Sequence, residues 1–163
     1  MAATPKYRKS TLRDVDSIHT MIKNEAHESG AVVAVRRSTI RKWIRDGLSF
    51  VATIDGKIIG HEGANMWKKS KCLEMRSAIV LKQYRGLHIG NGINTHLIGH
   101  LRKNYRGWRA IAFVNSAAKS RGMLQREGFV KIDNAELPQE FFLENGAALT
   151  AQEHGYETFT EIL

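Results

Sequence analysis

Apolar residues along this chain switch between two spacings, and the switches predict the order of its strands and helices. Runs rich in β-branched and aromatic residues predict strands at residues 6–10, 48–54, 57–67, 72–81, 108–114 and 129–132. Apolar residues three and four positions apart predict helices after residue 11, after Ser38, after Gly86 and before Gly128. Alternation over residues 156–162 predicts a last strand. A meander followed by alternating helices and strands indicates a mixed sheet with helices on both faces.

Several local signals predict where these elements begin and end. Thr11 and Asp14 have the spacing of a capping box, which predicts the start of the first helix. Ser38 is expected to cap the second helix, and Gly47 is expected to end it. The pair at residues 55–56 is Asp-Gly, which predicts a two-residue hairpin turn. Residues 134–153 show no clear period and are expected to be irregular.

The composition is typical of a globular protein with one core. The 163 residues, 42% hydrophobic and 25% charged, predict a single domain over 1–163. No apolar run approaches the ~18 residues of a membrane span, and the first residues lack the apolar core of a secretory signal. Cys72 is the only cysteine, which excludes an intrachain disulfide and a four-cysteine zinc site. We therefore expect a cytoplasmic protein without a metal.

The formal net charge of +9 favours anionic partners by long-range attraction. A phosphorylated cofactor, an anionic membrane surface or nucleic acid would all satisfy it, and so would a plain soluble basic surface. Lys and Arg are spread along the whole chain without a block of like charges, which argues against a basic tail for nucleic acid. A nucleic-acid-binding domain is therefore kept only as a remote alternative.

Residues 80–90, VLKQYRGLHIG, connect a predicted strand to a predicted helix, and we call them the phosphate cradle. A glycine-bearing turn that leads into a helix N-terminus presents free N–H groups, and the helix dipole favours negative charge there. Lys82 and Arg85 add positive charge, although a plain strand-to-helix turn would look similar. The cradle lacks the Lys-Ser/Thr ending of an ATP-type loop and the three-glycine pattern of a dinucleotide fold, so those classes are unsupported.

The phosphate cradle resembles the hallmark of the GNAT superfamily of acyl-CoA-dependent N-acyltransferases. The matching residues are Val80, Tyr84, Arg85, Gly86, Ile89 and Gly90. The chain departs from the family pattern at residues 81–82, which replace a proline-containing pair, and at His88, which replaces the middle glycine. The resemblance extends over about residues 51–132. It implies an α/β (mixed α+β) GNAT-like fold, in which a central twisted mixed sheet of six or seven strands carries four or so helices on both faces.

The resemblance also implies acetyl-CoA as cofactor and the residues that would bind it. In the family, the strand backbone before the turn pairs with the pantetheine arm, and the turn binds the pyrophosphate. The expected cofactor-binding residues are Ile79, Val80, Arg85, Gly86, Leu87, His88, Ile89, Gly90, Asn91, Asn115 and Lys119. The last two belong to the following strand-to-helix connection.

The family chemistry is direct acetyl transfer to a primary amine, which needs a base to take up the amine proton. The first candidate is Glu74, on the strand that leads to the cradle, and the second is Glu62, on the neighbouring predicted strand. Each could instead be structural, with Glu74 paired to Arg76. The tyrosine acid that the family often has is replaced by Leu124. Cys72 as an acylated nucleophile is less favoured than Cys72 as a small buried residue.

The acceptor is expected to be a small molecule, an amino acid or another amine with an anionic group, since a basic protein suits such a ligand. Two alternatives stay open on the same fold: a catalytically weak acyl-CoA sensor, and an acetyltransferase for protein N-termini or lysines. We expect no nucleic acid or membrane partner. A monomer or a homodimer is expected, the latter through a sheet edge offered by the last strand.

Overall fold

The computed structural model describes residues 4–29, 32–115, 120–145 and 155–163, which contain seven strands and five α-helices. The strands are β1 (Lys6–Lys9), β2 (Ser49–Ile54), β3 (Lys57–Trp67), β4 (Cys72–Val80), β5 (Arg109–Asn115), β6 (Val130–Ile132) and β7 (Tyr156–Ile162). The helices are α1 (Val15–Glu28), α2 (Arg37–Arg45), α3 (Ile89–Asn104), α4 (Ser120–Arg126) and α5 (Gln139–Glu144).

The strands hydrogen-bond in the order β1-β2-β3-β4-β5-β7-β6. β4 and β5 run parallel, whereas β7 pairs antiparallel with both β5 and β6. The mixed sheet predicted from the sequence is therefore confirmed. The expectation that the last strand offers a free sheet edge is wrong, because β7 has a neighbour on each side.

The backbone groups into two compact units, which we describe separately. Unit 1 comprises Met1–Ala64 and Arg76–His100, and unit 2 comprises Asn65–Met75 and Leu101–Leu163. Strands β3 and β4 and helix α3 contribute residues to both.

Unit 1 has helices on both faces of its strands. The apolar faces of α1 and α2 pack against the strands through Val15, Ile18, Met21, Ile22, Ile40, Trp43, Val51 and Ile79. On the other face, α3 approaches β3 at Gly60, where a Cβ atom would lie 2.7 Å from Cδ1 of Ile93. The missing side chain of Gly60 therefore lets α3 pack close to the strand.

The starts of α1 and α2 both differ from the sequence prediction. Asp14 accepts a hydrogen bond of 2.7 Å from the backbone N–H of Thr11, but this capping box opens a short 3₁₀ turn and α1 follows at Val15. Ser38 does not cap α2, because the helix already begins at Arg37 after an extended Arg36. An ion pair of 2.6 Å from Arg37 to Asp16 of α1 accompanies the earlier start.

Turn predictions based on glycine hold. Asp55 and Gly56 have φ angles of 49° and 77°, the two left-handed residues that a tight hairpin turn requires. Gly47, with φ of 72°, follows the end of α2. The positive φ angles of Gly56 and Gly47 favour glycine, so these glycines were strong signals in the sequence.

Unit 2 contains a helix that the sequence did not predict. Residues 134–153 were expected to be irregular, but α5 lies within them, and its Phe141 is buried with Cys72, Ile111 and Leu137. Glu144 at the end of α5 accepts hydrogen bonds from the backbone N–H groups of Lys69 and Ser70, at 3.1 and 3.0 Å. With six residues, α5 is too short to show a helical period. In the described part of the chain, no helix has the length and apolar character of a membrane span.

Candidate active site

The phosphate cradle has the strand-turn-helix geometry that its sequence predicts. Strand β4 ends at Val80, a 3₁₀ turn covers Lys82–Tyr84, and α3 begins at Ile89. Gly86 has a φ of 85° and His88 a φ of 57°, so the chain turns twice through the left-handed region before the helix. The carbonyl of His88 accepts the N–H of Gly92 at 3.2 Å. The N–H groups at the start of α3 have no acceptor within the helix, and this arrangement favours an anion.

His88 has a left-handed φ of 57°, a conformation that glycine adopts readily. A left-handed residue with a side chain costs about 1–2 kcal/mol, and histidine is among the side chains enriched there. The turn therefore accommodates histidine at this position. The imidazole of His88 lies at the exposed rim of the turn.

The exposed turn has room for a large polyanion. No atom lies within 4 Å of the position that a Cβ atom would take on Gly86. Leu87 is 62% exposed, although it is apolar. Ile89 is buried and Gly90 and Asn91 are half-buried, so the start of α3 is anchored at Ile89. An open turn, free N–H donors and a helix N-terminus fit the pyrophosphate of the coenzyme A expected from the sequence.

Arg85 holds the turn in place. Its Nε donates to the carbonyl of Val80 at 3.0 Å, and Nη2 forms an ion pair of 2.6 Å with Glu25 of α1. The guanidinium therefore connects the end of β4 with α1, and both of these segments belong to unit 1. The sequence placed Arg85 among the phosphate ligands, and the structure adds this second role.

Glu62 of β3 is a buried carboxyl group beside α3. It is 4% exposed, and both of its oxygens accept from the amide nitrogen of Asn94, at 3.2 and 3.3 Å. Burial raises the pKa of Glu62 to about 8, against the opposing effect of the Asn94 hydrogen bond. Among the described residues, the amide oxygen of Asn94 has no hydrogen-bond partner. The carboxyl group of Glu62 is therefore largely protonated at neutral pH.

His61, next to Glu62 on the opposite face of β3, was missed by the sequence analysis. Its Nδ1 lies 3.3 Å from the carbonyl oxygen of Ser77, and its Nε2 lies 3.1 Å from the hydroxyl of Ser49. Since a carbonyl only accepts, Nδ1 carries the proton and Nε2 accepts from Ser49. Burial lowers the pKa of His61 to about 4, and the Ser77 hydrogen bond opposes this.

Ser77 marks an irregularity in the middle of β4. Its φ of 56° lies in the left-handed region, which is rare inside a strand. His61 holds the Ser77 carbonyl, and the His61 ring stacks on Trp43 with centroids 5.9 Å apart. The signal in the sequence was a histidine directly after the apolar residues 58–60 of the strand.

Glu74 of β4 is the centre of a polar cluster in unit 2. Its Oε2 accepts from Asn65 at 3.3 Å, from the Trp67 indole at 3.2 Å and from Asn145 at 2.9 Å. These three donors are neutral N–H groups. Asn65, Trp67 and Asn145 could not be assigned to Glu74 from the sequence, because they lie up to 71 positions away along the chain.

The remaining candidates are spread over unit 2. Asn115 is exposed at the end of β5, and Lys119 lies outside the described residues. Leu124, at the position of the family's tyrosine, is 2% exposed and packs in the interior. Cys72 is fully buried, and burial raises the pKa of its thiol. Within the described ranges, no three His, Cys, Asp or Glu side chains are grouped to hold a metal ion.

Comparison with known proteins gives one family and many similar structures. The profile of the family described as "Acetyltransferase (GNAT) family" matches residues 14–129. No curated protein matches the sequence.

Three solved structures illustrate the likeness of fold. N-acetylglutamate synthase from Neisseria gonorrhoeae, complexed with coenzyme A and N-acetyl-glutamate, has a TM-score of 0.76 at 16% identity over 99% of this chain and 35% of that chain. Rv2747 from Mycobacterium tuberculosis, in complex with CoA and NLQ, has a TM-score of 0.77 at 18% identity over 97% of this chain and 99% of that chain. Ribosomal-protein-alanine N-acetyltransferase from Brucella melitensis has a TM-score of 0.71 at 18% identity, with the same coverage of 97% and 99%. The chain thus spans only 35% of the length of the Neisseria enzyme.

Proposed function

Since the chain belongs to the acetyltransferase (GNAT) family, we propose that it transfers the acetyl group of acetyl-CoA to a primary amine. The observation that supports this most is the phosphate cradle, in which Gly86 and His88 turn the chain directly before the N-terminus of α3. Bound there, acetyl-CoA would supply an acyl group activated as a thioester. The pyrophosphate would be held by the backbone between Gly86 and Asn91.

The transfer needs no covalent enzyme intermediate. A neutral amine attacks the thioester carbonyl, the new C–N bond forms, and the C–S bond breaks with the thiolate as leaving group. One proton leaves the amine, and one is taken up by the thiolate from water or a nearby donor such as Tyr84. The protein therefore has to bind both substrates, orient them and accept the amine proton.

Glu74 is our proposed proton acceptor. Its Oε2 accepts hydrogen bonds from Asn65, Trp67 and Asn145, which hold the carboxyl group in a fixed orientation. Glu62 is the alternative, but its pKa of about 8 leaves only about a tenth of it ionised at pH 7. The two assignments differ in the pH dependence of kcat/KM.

The pH profile decides between them. If Glu74 is the base, Glu62→Gln leaves the pH dependence of kcat/KM near pH 8 unchanged. Glu74→Gln then lowers kcat by roughly 10²-fold or more. With Glu62 as base, kcat/KM rises up to about pH 8 and Glu62→Gln abolishes that rise. Circular dichroism of both variants checks that each is folded.

We propose a small amine with an anionic group, such as an amino acid, as the acceptor. The basic character of the chain supports this, and so does the likeness of fold to an enzyme named N-acetylglutamate synthase. A peptide N-terminus is the second candidate, supported by the likeness to an enzyme named ribosomal-protein-alanine N-acetyltransferase. We expect the reaction in the cytoplasm, where the thiol of Cys72 stays reduced.

Cofactor binding is tested with a near-isosteric charge change at the cradle. Asn91→Asp places a carboxylate in the first turn of α3, where it favours the helix dipole but repels a polyanion. We expect an unchanged or higher Tm without ligand and at least a tenfold weaker coenzyme A affinity by calorimetry. Gln125→Glu on α4 changes the net charge equally and should bind normally. Failure of the wild type to bind coenzyme A would refute the proposal.

An acceptor screen tests the reaction itself. Release of free thiol from acetyl-CoA is followed with single amino acids, simple amines and peptides with N-terminal alanine. Turnover with an acidic amino acid supports the first candidate, and turnover only with peptides supports the second. Tight coenzyme A binding without thiol release from any acceptor, proteins included, would point to the acyl-CoA sensor instead.

A further inference from the structure

The positive charge of the chain is concentrated in unit 1. Unit 1 contains 14 Lys and Arg residues against 7 Asp and Glu, a net +7 of the total +9, whereas unit 2 has 11 against 9, a net +2. A pyrophosphate in the cradle would engage only part of this charge. The remainder is most dense at α2.

Five cations lie on and directly before α2, without an acidic residue among them. They are Arg36, Arg37, Arg41, Lys42 and Arg45, all exposed, and we call them the α2 basic face. The apolar residues of the helix, Ile40 and Trp43, point inward and are fully buried. The helix therefore presents an almost purely cationic surface to solvent.

Little of this charge is neutralised inside the protein. Arg37 pairs with Asp16 at 2.6 Å and Lys42 with Asp46 at 2.5 Å. In the part of the chain that the structure describes, neither Arg36 nor Arg45 forms an ion pair, and Arg41 acts on Asp16 only at longer range. At least two guanidinium groups are thus available to an outside partner.

The arrangement of these charges works against the stability of the helix. Arg37, Arg41 and Arg45 follow one another at four-residue intervals, where like charges repel. Arg36 and Arg37 also stand at the positive end of the helix dipole, with no acidic residue in the first turn. The ion pair with Asp16 compensates this for Arg37, whereas Arg36 and Arg45 have no ion pair among the described residues. Local rules broken in this way are typical of functional surfaces.

We propose that the α2 basic face is a docking surface for an acidic segment of a partner protein. The three arginines span an arc of about 80° and rise about 6 Å per step, which matches carboxylates at every fourth position of an acidic helix. Arginine, four of the five cations, forms bidentate bonds with carboxylates. The face has no exposed aromatic or amide side chain for reading bases, which disfavours nucleic acid.

The test uses a defined acidic peptide and omits acetyl-CoA, so its outcome is independent of the proposed acetyl transfer. The probe is a fluorescein-labelled, N-acetylated alanine-based peptide of about 20 residues with Glu at every fourth position. Its control has the same composition with the Glu residues grouped at one end. Fluorescence anisotropy is measured at about 50 and about 200 mM NaCl. We expect wild-type protein to bind the spaced peptide at least fivefold more tightly than the control.

Variants then locate the site. Arg41→Ala with Arg45→Ala should weaken binding at least tenfold, whereas Arg13→Ala with Lys57→Ala, two exposed cations elsewhere in unit 1, should change it less than twofold. Arg36→Asp supplies a good N-cap residue. It should raise the Tm by about 2–4 °C and still weaken binding severalfold. This combination separates lost binding from misfolding.

Three outcomes would overturn the proposal. They are no measurable binding of the spaced peptide, equal losses in both double variants, and tighter binding of duplex RNA or phosphatidylserine vesicles through the same arginines. The last would assign the face to a nucleic acid or to a membrane surface instead.

Discussion

Glu62 shows how a single buried side chain can make stability depend on pH. The folded protein keeps this carboxyl group away from water, and among the described residues the amide of Asn94 is its hydrogen-bond partner. Its pKa is raised from an ordinary 4.5 to about 8, so folding favours the protonated form. The associated stability is complete below pH 4.5 and is lost as the pH rises towards 8.

We therefore predict that Glu62→Gln stabilises the protein at alkaline pH. Glutamine stays neutral, and a rotated Asn94 amide can accept from it. The free energy of unfolding of the variant should exceed that of the wild type by on the order of 3–5 kcal/mol at pH 8.5 and by little at pH 4.5. Urea titrations across this range measure the difference. Glu28→Gln on the exposed end of α1 is the control and should show none.

His61 gives the opposite pH dependence. Its pKa is lowered to about 4, so the folded protein favours the neutral ring, and the stability this provides is present above pH 6.5 and lost as the pH falls towards 4. We predict that His61→Gln, which cannot ionise, loses less stability than the wild type between pH 6.5 and pH 4. The variant should be less stable than the wild type at pH 7, since the ring packs against Trp43. The prediction would be contradicted if the free energies of unfolding of variant and wild type fell in parallel as the pH decreases.

At the residue scale, local backbone geometry was predictable from the sequence, whereas long-range contacts were not. The spacing of residues 80–90 was enough to predict a turn between a strand and a helix, because backbone geometry depends on local sequence. Contacts made over long separations were not predictable. The hydrogen bonds of Glu74 with Asn145 and of Arg85 with Glu25 join residues 71 and 60 positions apart, and no local pattern announces them.

At the scale of single elements, two of the three glycines of α3, Gly92 and Gly99, have very different surroundings. A Cβ atom on Gly92 would lie 2.2 Å from the Tyr7 ring, whereas one on Gly99 would meet nothing within 4 Å. Tyr7 also stacks on His96 of the same helix, with centroids 4.9 Å apart. Gly92 therefore makes room for β1 against the helix.

This contrast predicts opposite effects of the same substitution. Gly99→Ala should raise the free energy of unfolding by about 0.5–1 kcal/mol, since alanine favours the helix. Gly92→Ala has the same intrinsic gain but must displace the Tyr7 ring, so it should be less stable than Gly99→Ala by roughly 1–3 kcal/mol. Thermal unfolding of both variants is the measurement. Equal stabilities would show that Tyr7 moves aside without cost.

Element prediction succeeded where the pattern was long or the turn residues were strong. The 16 residues of α3 and the hairpin at Asp55 and Gly56 appeared as expected. It failed for α5, whose six residues depend on the burial of Phe141, and for the start of α2, where an ion pair joins two helices. Both failures reflect tertiary contacts that a local pattern does not contain.

For the whole molecule, the sequence predicted the mixed sheet but not the position of its last strand. The order of elements along the chain leaves open where a final strand pairs. β7 lies between β5 and β6 and pairs antiparallel with both, with Phe159 opposite Ala112 of β5 and Lys131 of β6.

The net charge makes a prediction about the protein as a whole. With +9 overall and +7 in unit 1, cations repel one another more in the folded state than in the expanded chain. Raising NaCl from about 20 to about 300 mM should therefore raise the Tm by roughly 2–4 °C. Differential scanning calorimetry measures the shift. A Tm that is flat or falls with salt would contradict it, and Arg36→Asp should show a smaller shift.

The complete burial of Cys72 makes enzyme assays simpler. Coenzyme A released in acetyl transfer carries a free thiol that chromogenic disulfide reagents detect. The chain has one cysteine, fully enclosed in unit 2 and with a thiol pKa raised by burial, so the folded protein contributes almost no background colour. Slow colour development without substrate would then report unfolding. One cuvette could therefore follow both turnover and the loss of the native state.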